Sequence, residues 1–264
     1  MRCAVLGDPI AHSLSPVLHR TAYDVAGLDW SYDAVRVPAG GLADHVAGLG
    51  DDWRGLSLTM PLKREAIPLA DTVSERARRV GAANTLLLVD GEVHADNTDL
   101  PGAVAAIRER YAGPVTSATI LGAGATAASV GLALVELGAQ SIGLLARDPA
   151  RAAETVAVIG GHPAGPVVGV ASLAHGPVEG EVVVSTIPAS AQDEDLVARC
   201  AAVPVVFEVV YDPWPTPLAA AATDRVLVSG LDLLVHQAAL QFEIFTGLPA
   251  PLDAMRAAGE QALA

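Results

Sequence analysis

Short apolar runs alternate along the chain with longer stretches in which apolar residues recur at helical spacing. C-A-V-L at 3–6 precedes a helical pattern from Pro16. W-S-Y-D-A-V at 30–35 precedes one near Leu42, and L-S-L-T-M at 56–60 precedes one from about Lys63. Strand-length runs separated by helices predict βαβ units and a mainly parallel sheet. A second series opens near Ser117 with A-T-I-L and continues with I-G-L-L-A at 142–146, V-V-V-S-T-I at 182–187, P-V-V-F-E-V-V at 204–210 and R-V-L-V-S at 225–229. Two series predict two sheets and so two domains. Residues 97–102, N-T-D-L-P-G, are the expected crossing, and the helices of residues 231–264 carry no strand and are expected to pack back on the first domain. The expected division is 1–99 with 231–264 against 100–230.

Composition narrows this picture. The chain has 264 residues, 52% of them hydrophobic, which is ample for one large core or two modest ones. With 16 Lys+Arg against 30 Asp+Glu its formal charge is −14, which opposes binding to nucleic acid or to an anionic membrane. Any anionic ligand must therefore be held by local groups. Cys3 and Cys200 form no metal-type spacing and fit a reducing compartment. The opening M-R-C-A-V-L leads directly into G-D-P without a basic segment and long apolar run, and no stretch approaches the length of a membrane span. The expectation is a soluble cytoplasmic protein without a metal.

Candidate chemistry begins at I-A-H-S-L-S-P (10–16). Ser15 before Pro16 is a favoured N-cap with proline at the first helical position. Capping needs one serine, whereas Ser13 and Ser15 together with free helix amides would also seat a small anion such as a carboxylate. In S-A-T-I-L-G-A-G-A-T-A-A-S-V-G, Gly122 and Gly124 follow a strand and open a helix, with Ala127 at the third small position. This is the G-x-G-x-x-A turn of a dinucleotide site: one glycine for the tight turn, the next for backbone approach to a pyrophosphate. The following strand ends at Ala146, where a cofactor lacking a 2′-phosphate would meet an acid. Arg147 and Arg151 stand there instead, able to clamp a 2′-phosphate, which favours NADP over NAD. Asp148 before Pro149 reads as an N-cap whose carboxylate turns to helix amides. Lys63 opens a helix against the dipole, Asn84 starts a strand, and Asp99 sits at the domain crossing; each could be an ordinary surface or turn residue.

S-L-S-P, S-L-T-M-P-L-K, G-A-A-N-T-L, D-N-T-D, G-A-G-A-T-A, A-R-D-P-A-R, Y-D-P-W-P-T-P and G-L-D-L-L-V-H-Q-A occur in the order found in the shikimate dehydrogenase family, which the chain resembles over nearly its whole length, in wording of the actinobacterial kind. The resemblance implies an α/β protein of two domains: a mainly parallel substrate domain and a Rossmann-type doubly wound domain for NADP. It implies NADPH-dependent, reversible reduction of 3-dehydroshikimate to shikimate, a step toward chorismate and aromatic amino acids, by a monomer or homodimer. Carried over residue by residue, Ser13 and Ser15 would take the substrate carboxylate. Ser57, Thr59, Asn84, Asp99 and Gln237 would hold ring hydroxyls, Tyr211 would lie beside the substrate, and Lys63 and Asp99 would be the catalytic pair. Gly122, Ala123, Gly124, Ala125, Thr126, Ala146, Arg147, Asp148, Arg151, Thr186, Val209 and Gly230 would line the cofactor.

Three positions depart from the family pattern. Ser57 stands where many members have Asn, which shortens or water-bridges that contact. T-A-A-S after the glycine turn lacks an Arg common there, and Ala146-Arg147-Asp148 replaces a frequent Asn-Arg-Thr. An NAD-linked quinate/shikimate dehydrogenase would carry an acid at Ala146. A ligand-sensing protein on the same fold could dispense with Lys63 or Asp99, and a folate-linked dehydrogenase would not need the Ser13–Ser15 pair.

Overall fold

The apolar runs of the first hundred residues form one sheet from β1 (Arg2–Gly7), β2 (Ser31–Arg36), β3 (Trp53–Leu58), β4 (Thr72–Val73), β5 (Thr85–Val89) and β6 (Glu92–Asp96). In the computed structural model, which describes residues 1–264, this sheet has the order β2-β1-β3-β5-β6-β4. β1 pairs in parallel with β2 and β3, and β4 with β6, while β5 runs antiparallel to both β3 and β6. One reversed strand in an otherwise parallel sheet follows from Asp90–Gly91, both at positive φ (52° and 80°), a dipeptide that closes tight hairpins. The β5–β6 hairpin is a feature the alternating strand–helix rhythm does not predict. β1 and β3 bury Ala4, Leu6, Leu56 and Leu58 against Leu42, Leu62 and Ala66 from the helical connections.

The second sheet contains β7 (Ser117–Leu121), β8 (Ser141–Ala146), β9 (Val167–Ser172), β10 (Val182–Ser185), β11 (Val205–Glu208) and β12 (Val226–Val228), every pair parallel. Its order, β12-β11-β10-β7-β8-β9, is the 3-2-1-4-5-6 order of a doubly wound dinucleotide-binding sheet. β7 and β10, at the centre, are buried over Ala118–Leu121 and Val182–Ser185, as expected of strands covered on both faces. The helix Ala125–Glu136 is buried from Ala127 through Val135, because it is small and apolar on every side. β9 escapes the sequence pattern: V-V-G-V-A-S is an edge strand whose Val167 is 71% exposed.

The chain divides into two compact units, Met1–Gly102 with Leu234–Ala264, and Ala103–Leu233. Both divisions fall inside helices, Asp99–Arg110 and Gly230–Thr246. Within the first unit the closing helix Leu252–Leu263 packs on the helix Ser15–Val25.

Two local expectations are corrected. Ser15 is the first residue of its helix, not its cap; Leu14 takes the cap position without a side-chain bond, and Ser13 Oγ accepts from Ser15 N at 3.3 Å. Lys63 lies in a single 3-10 turn, Leu62–Arg64, since β3 ends at Leu58 and the α-helix begins only at Ala66.

Candidate functional site

In the first unit four of the expected side chains converge. Lys63 Nζ lies 2.7 Å from Asp99 Oδ2, with the two side chains 14% and 7% exposed. Lys63 is held by its turn, whose carbonyl accepts from Ala83 N at 2.8 Å. Asp99 opens its helix, and Leu100 N bonds to Asn97 Oδ1 at 3.1 Å, so the N-T-D segment folds back on the helix start. Asn84 sits between β3 and β6: its carbonyl accepts from Leu58 N and its amide donates to Asp96 O. Its side-chain Nδ2 points at Asp99 Oδ1 (2.9 Å), Thr98 Oγ1 (2.9 Å) and Gln237 Oε1 (3.1 Å). Asp99 thus receives an ammonium on one oxygen and an amide on the other, an orientation that leaves lone pairs on both for a ligand hydroxyl.

Ser15, the first residue of the helix Ser15–Val25, is buried, and Ser13, two residues before it, is half-buried. Ser57, in β3, donates its hydroxyl to Gln241 Oε1 at 2.7 Å and accepts from the Tyr32 hydroxyl at 2.5 Å. Thr59 follows the end of β3, half-buried, with its main chain paired to Leu6 and Leu62. Burial pushes the Tyr32 phenol well above its ordinary range, against the hydroxyls of Ser57 and Ser15, so it remains a neutral donor. His19 stacks on Tyr32 with ring centroids 4.1 Å apart, and burial drives its imidazole down to about 3, keeping this region free of added charge.

In the second unit Gly122 takes φ 111° directly after β7, and a Cβ there would overlap Thr186 Oγ1. Thr186 in turn donates to Leu121 O at 2.8 Å, locking the turn. Gly124 caps the helix Ala125–Glu136 in extended conformation, with open space where a side chain would be. Ala123 and Ala125–Thr126 complete the turn, and the Ala123 carbonyl is held by Thr155 Oγ1 at 2.8 Å. The start of that 12-residue helix has no side-chain cap, and beside Gly124 there is open space, so its first amides are the groups that could receive a phosphate. Ala146 ends β8; Arg147 and Arg151 are exposed beyond it, and Asp148 caps the turn Pro149–Ala152 by accepting from Ala150 N at 3.1 Å, as its spacing predicts.

Val209 and Gly230 meet across the unit: a Cβ on Gly230 would overlap the Val209 carbonyl. Tyr211 is half-buried on the loop that follows β11. That loop is pinned at both ends by one fully buried carboxylate absent from the sequence expectations, Glu208, which accepts from Val210 N (3.0 Å), Thr216 Oγ1 (2.8 Å) and Gln192 Nε2 (2.7 Å). Burial raises Glu208 above the ordinary carboxylate value, against these donors. A lone acid inside P-V-V-F-E-V-V was its signal. Thr85, Thr98 and Gln241 also join the first unit's network unforeseen; Gln241 is the one polar residue in A-A-L-Q-F.

A doubly wound parallel sheet with a glycine turn after its central strand, in a chain that also pairs a half-buried lysine with a buried aspartate among neutral amides and hydroxyls, defines a dinucleotide-dependent oxidoreductase. Residues 5–86 match the shikimate dehydrogenase substrate binding domain and residues 230–258 the shikimate 5'-dehydrogenase C-terminal domain. A shikimate dehydrogenase (NADP(+)) of Methylobacterium radiotolerans is 38% identical over 266 residues, covering 93% of this chain and 91% of its own. The crystal structure of Mycobacterium tuberculosis shikimate dehydrogenase is 40% identical with a TM-score of 0.89, over 98% of this chain and 99% of that one. Shikimate 5-dehydrogenase of Thermus thermophilus, solved in complex with NADP(H) and shikimate, is 31% identical with a TM-score of 0.83, over 99% of each chain. The chain belongs to the shikimate dehydrogenase family.

Proposed function

We propose that this chain catalyses the reversible NADP-linked interconversion of 3-dehydroshikimate and shikimate, in the cytoplasm, as a monomer or homodimer acting on small molecules alone. The observation that carries the reading is the part-buried Lys63–Asp99 pair at 2.7 Å, set among neutral hydrogen-bonding groups suited to a polyol. Bound NADP would supply the hydride chemistry. Its pyrophosphate would be received by the amides at Gly122–Thr126, beside Thr186, and Val209 and Gly230 would border its far end.

Arg147 and Arg151 would bind a 2′-phosphate through charge-assisted bonds, with Asp148 turned aside into its cap. Ser13 and Ser15 would take the substrate carboxylate; Thr59, Asn84 and Gln237 its hydroxyls; Tyr211 would lie beside it. At the reacting oxygen the Lys63 ammonium matches the negative charge that develops on ketone reduction, and Asp99, aligned by Asn84, orients both the ammonium and the hydroxyl. The domain assignment is part of this proposal: residues 1–99 with 231–264 bind substrate, and 100–230 bind NADP. The test is steady-state kinetics with shikimate or quinate paired with NADP or NAD. Shikimate with NADP is expected to give the highest kcat/KM, and absence of activity with all four pairs would overturn the reading.

A further inference from the structure

Hydrogen bonds of dictated direction join Tyr32 to the Lys63–Asp99 pair through Ser57, Gln241, Thr85 and Asn84. The reference point is the Asn84 main-chain carbonyl, a group that can only accept. Gln241 presents Nε2 to it at 2.9 Å, so the Gln241 carbonyl must face the other way. There Ser57 donates to it at 2.7 Å, and the Ser57 oxygen takes the Tyr32 hydroxyl in turn. On the opposite side Gln241 Nε2 also reaches Thr85 Oγ1 at 3.0 Å. With that oxygen occupied as acceptor, the Thr85 hydrogen is directed to Asn84 Oδ1 at 2.9 Å. Thr98 N donates to the same Oδ1 at 2.8 Å. Two donors on Oδ1 leave the Nδ2 end of Asn84 to face Asp99 Oδ1 at 2.9 Å.

Water does not substitute for these partners: Tyr32 and Thr85 are fully buried, Asn84 and Gln241 are 1% exposed and Ser57 4%. A flipped Asn84 amide would set its carbonyl against the Asp99 carboxylate and its NH₂ against the Thr98 amide, two unmade buried bonds in place of two made ones.

We propose that Gln241 and Thr85 are positioning residues for the reacting pair, holding the Asn84 amide in the one orientation that presents Nδ2 to Asp99 and leaves the other Asp99 oxygen to Lys63. This rests on the reading of Lys63 and Asp99 as the reacting groups. Gln241 has its carbonyl and its NH₂ engaged within the protein, so it acts through Asn84 and not on a ligand. Ser57, whose hydrogen belongs to Gln241, anchors the same chain in place of a direct contact to ring hydroxyls.

The experiment compares Gln241→Met and Thr85→Val, both close in volume to the parent side chains, with Thr85→Ser and with Lys63→Ala in one assay of shikimate oxidation. Expected are a fall in kcat of about tenfold or more for Gln241→Met and Thr85→Val, recovery to near the parent value in Thr85→Ser, and a KM for NADP within about twofold of the parent in all three. Parent-like kcat in folded Thr85→Val and Gln241→Met, with Lys63→Ala inactive, overturns this proposal alone. Parent-like kcat in Lys63→Ala overturns the assignment of the reacting pair beneath it. Should Gln241→Met fail to fold, the contrast between Thr85→Val and Thr85→Ser decides.

Discussion

Lys63 and Asp99 form an ion pair at 2.7 Å and both side chains are largely buried, so a variant of either tests the chemistry of the pair. Lys63→Ala is expected to lower kcat roughly a hundred- to a thousandfold, with the shikimate KM little changed, because an ammonium placed for developing charge acts in the transition state. Stopped assays of the purified variant check this, and turnover like the parent's would remove Lys63 from the chemistry. For the serines the structure sharpens the expectation. Ser15 does not cap its helix, and Ser13 reaches the helix start through a 3.3 Å contact from Ser15 N to Ser13 Oγ. Replacing both with Ala should therefore raise the KM for shikimate about tenfold or more while leaving the KM for NADP unmoved and costing less than about 1 kcal/mol of stability. A variant that loses stability and keeps its KM would return the serines to a purely structural role.

At the scale of elements, the segment after β8 tests cofactor choice. Arg147→Ala/Arg151→Ala removes two exposed guanidiniums and leaves the Asp148 cap in place, so the turn should persist. Charge-assisted bonds of about 1.5 to 3 kcal/mol each put the expected loss of kcat/KM for NADP at roughly a hundredfold, with NAD hardly affected. Equal losses with both cofactors would mean that the arginines support the fold. A different carboxylate joins the starts of β7 and β10. Glu181 accepts from the main-chain amides of Thr116 (3.0 Å) and Ser117 (2.8 Å) and from the Thr116 hydroxyl (2.7 Å). Burial acts to raise it, but the Ser117 and Thr116 donors prevail and hold it at about 2. An acid depressed in the folded state contributes stability that is present above its unfolded value, about 4.3, and is lost as pH falls toward 2. Urea unfolding at pH 7, 4 and 3 should show Glu181→Gln less stable than the parent at pH 7 and the gap narrowing at pH 4 and further at pH 3; a gap independent of pH would exclude this linkage. The β5–β6 hairpin shows how much of an element can be legible: Asp90–Gly91 between apolar runs announces a tight turn, yet which strands the hairpin joins depends on β3, thirty residues upstream and already paired to β1.

For the whole molecule, a charge of −14 makes every anionic ligand depend on locally placed donors, and the donors proposed for the two units come from different kinds of structure. In the second unit they are backbone amides and neighbouring residues. The glycine turn, the Asp148 cap, the missing acid at Ala146 and the two arginines all lie within about thirty residues of one strand–helix–strand passage. Such features follow from local conformational preference, and the sequence by itself determined them, together with most strands and the two-sheet organisation, because backbone sterics and hydrophobic period act over a few residues. The first unit's network was decided by tertiary structure. Lys63 meets Asp99 across 36 positions, Asn84 meets Gln237 across 153, and Ser57 meets Gln241 across 184. A hydroxyl or a side-chain amide both donates and accepts, so its type does not reveal its partner. Ser57 reads in sequence as a ligand contact and Gln241 as one residue of an apolar helix. Only the packing of the helix Gly230–Thr246 against β3 and β5 sets which of their atoms face each other, and burial then requires that every one of those bonds be made.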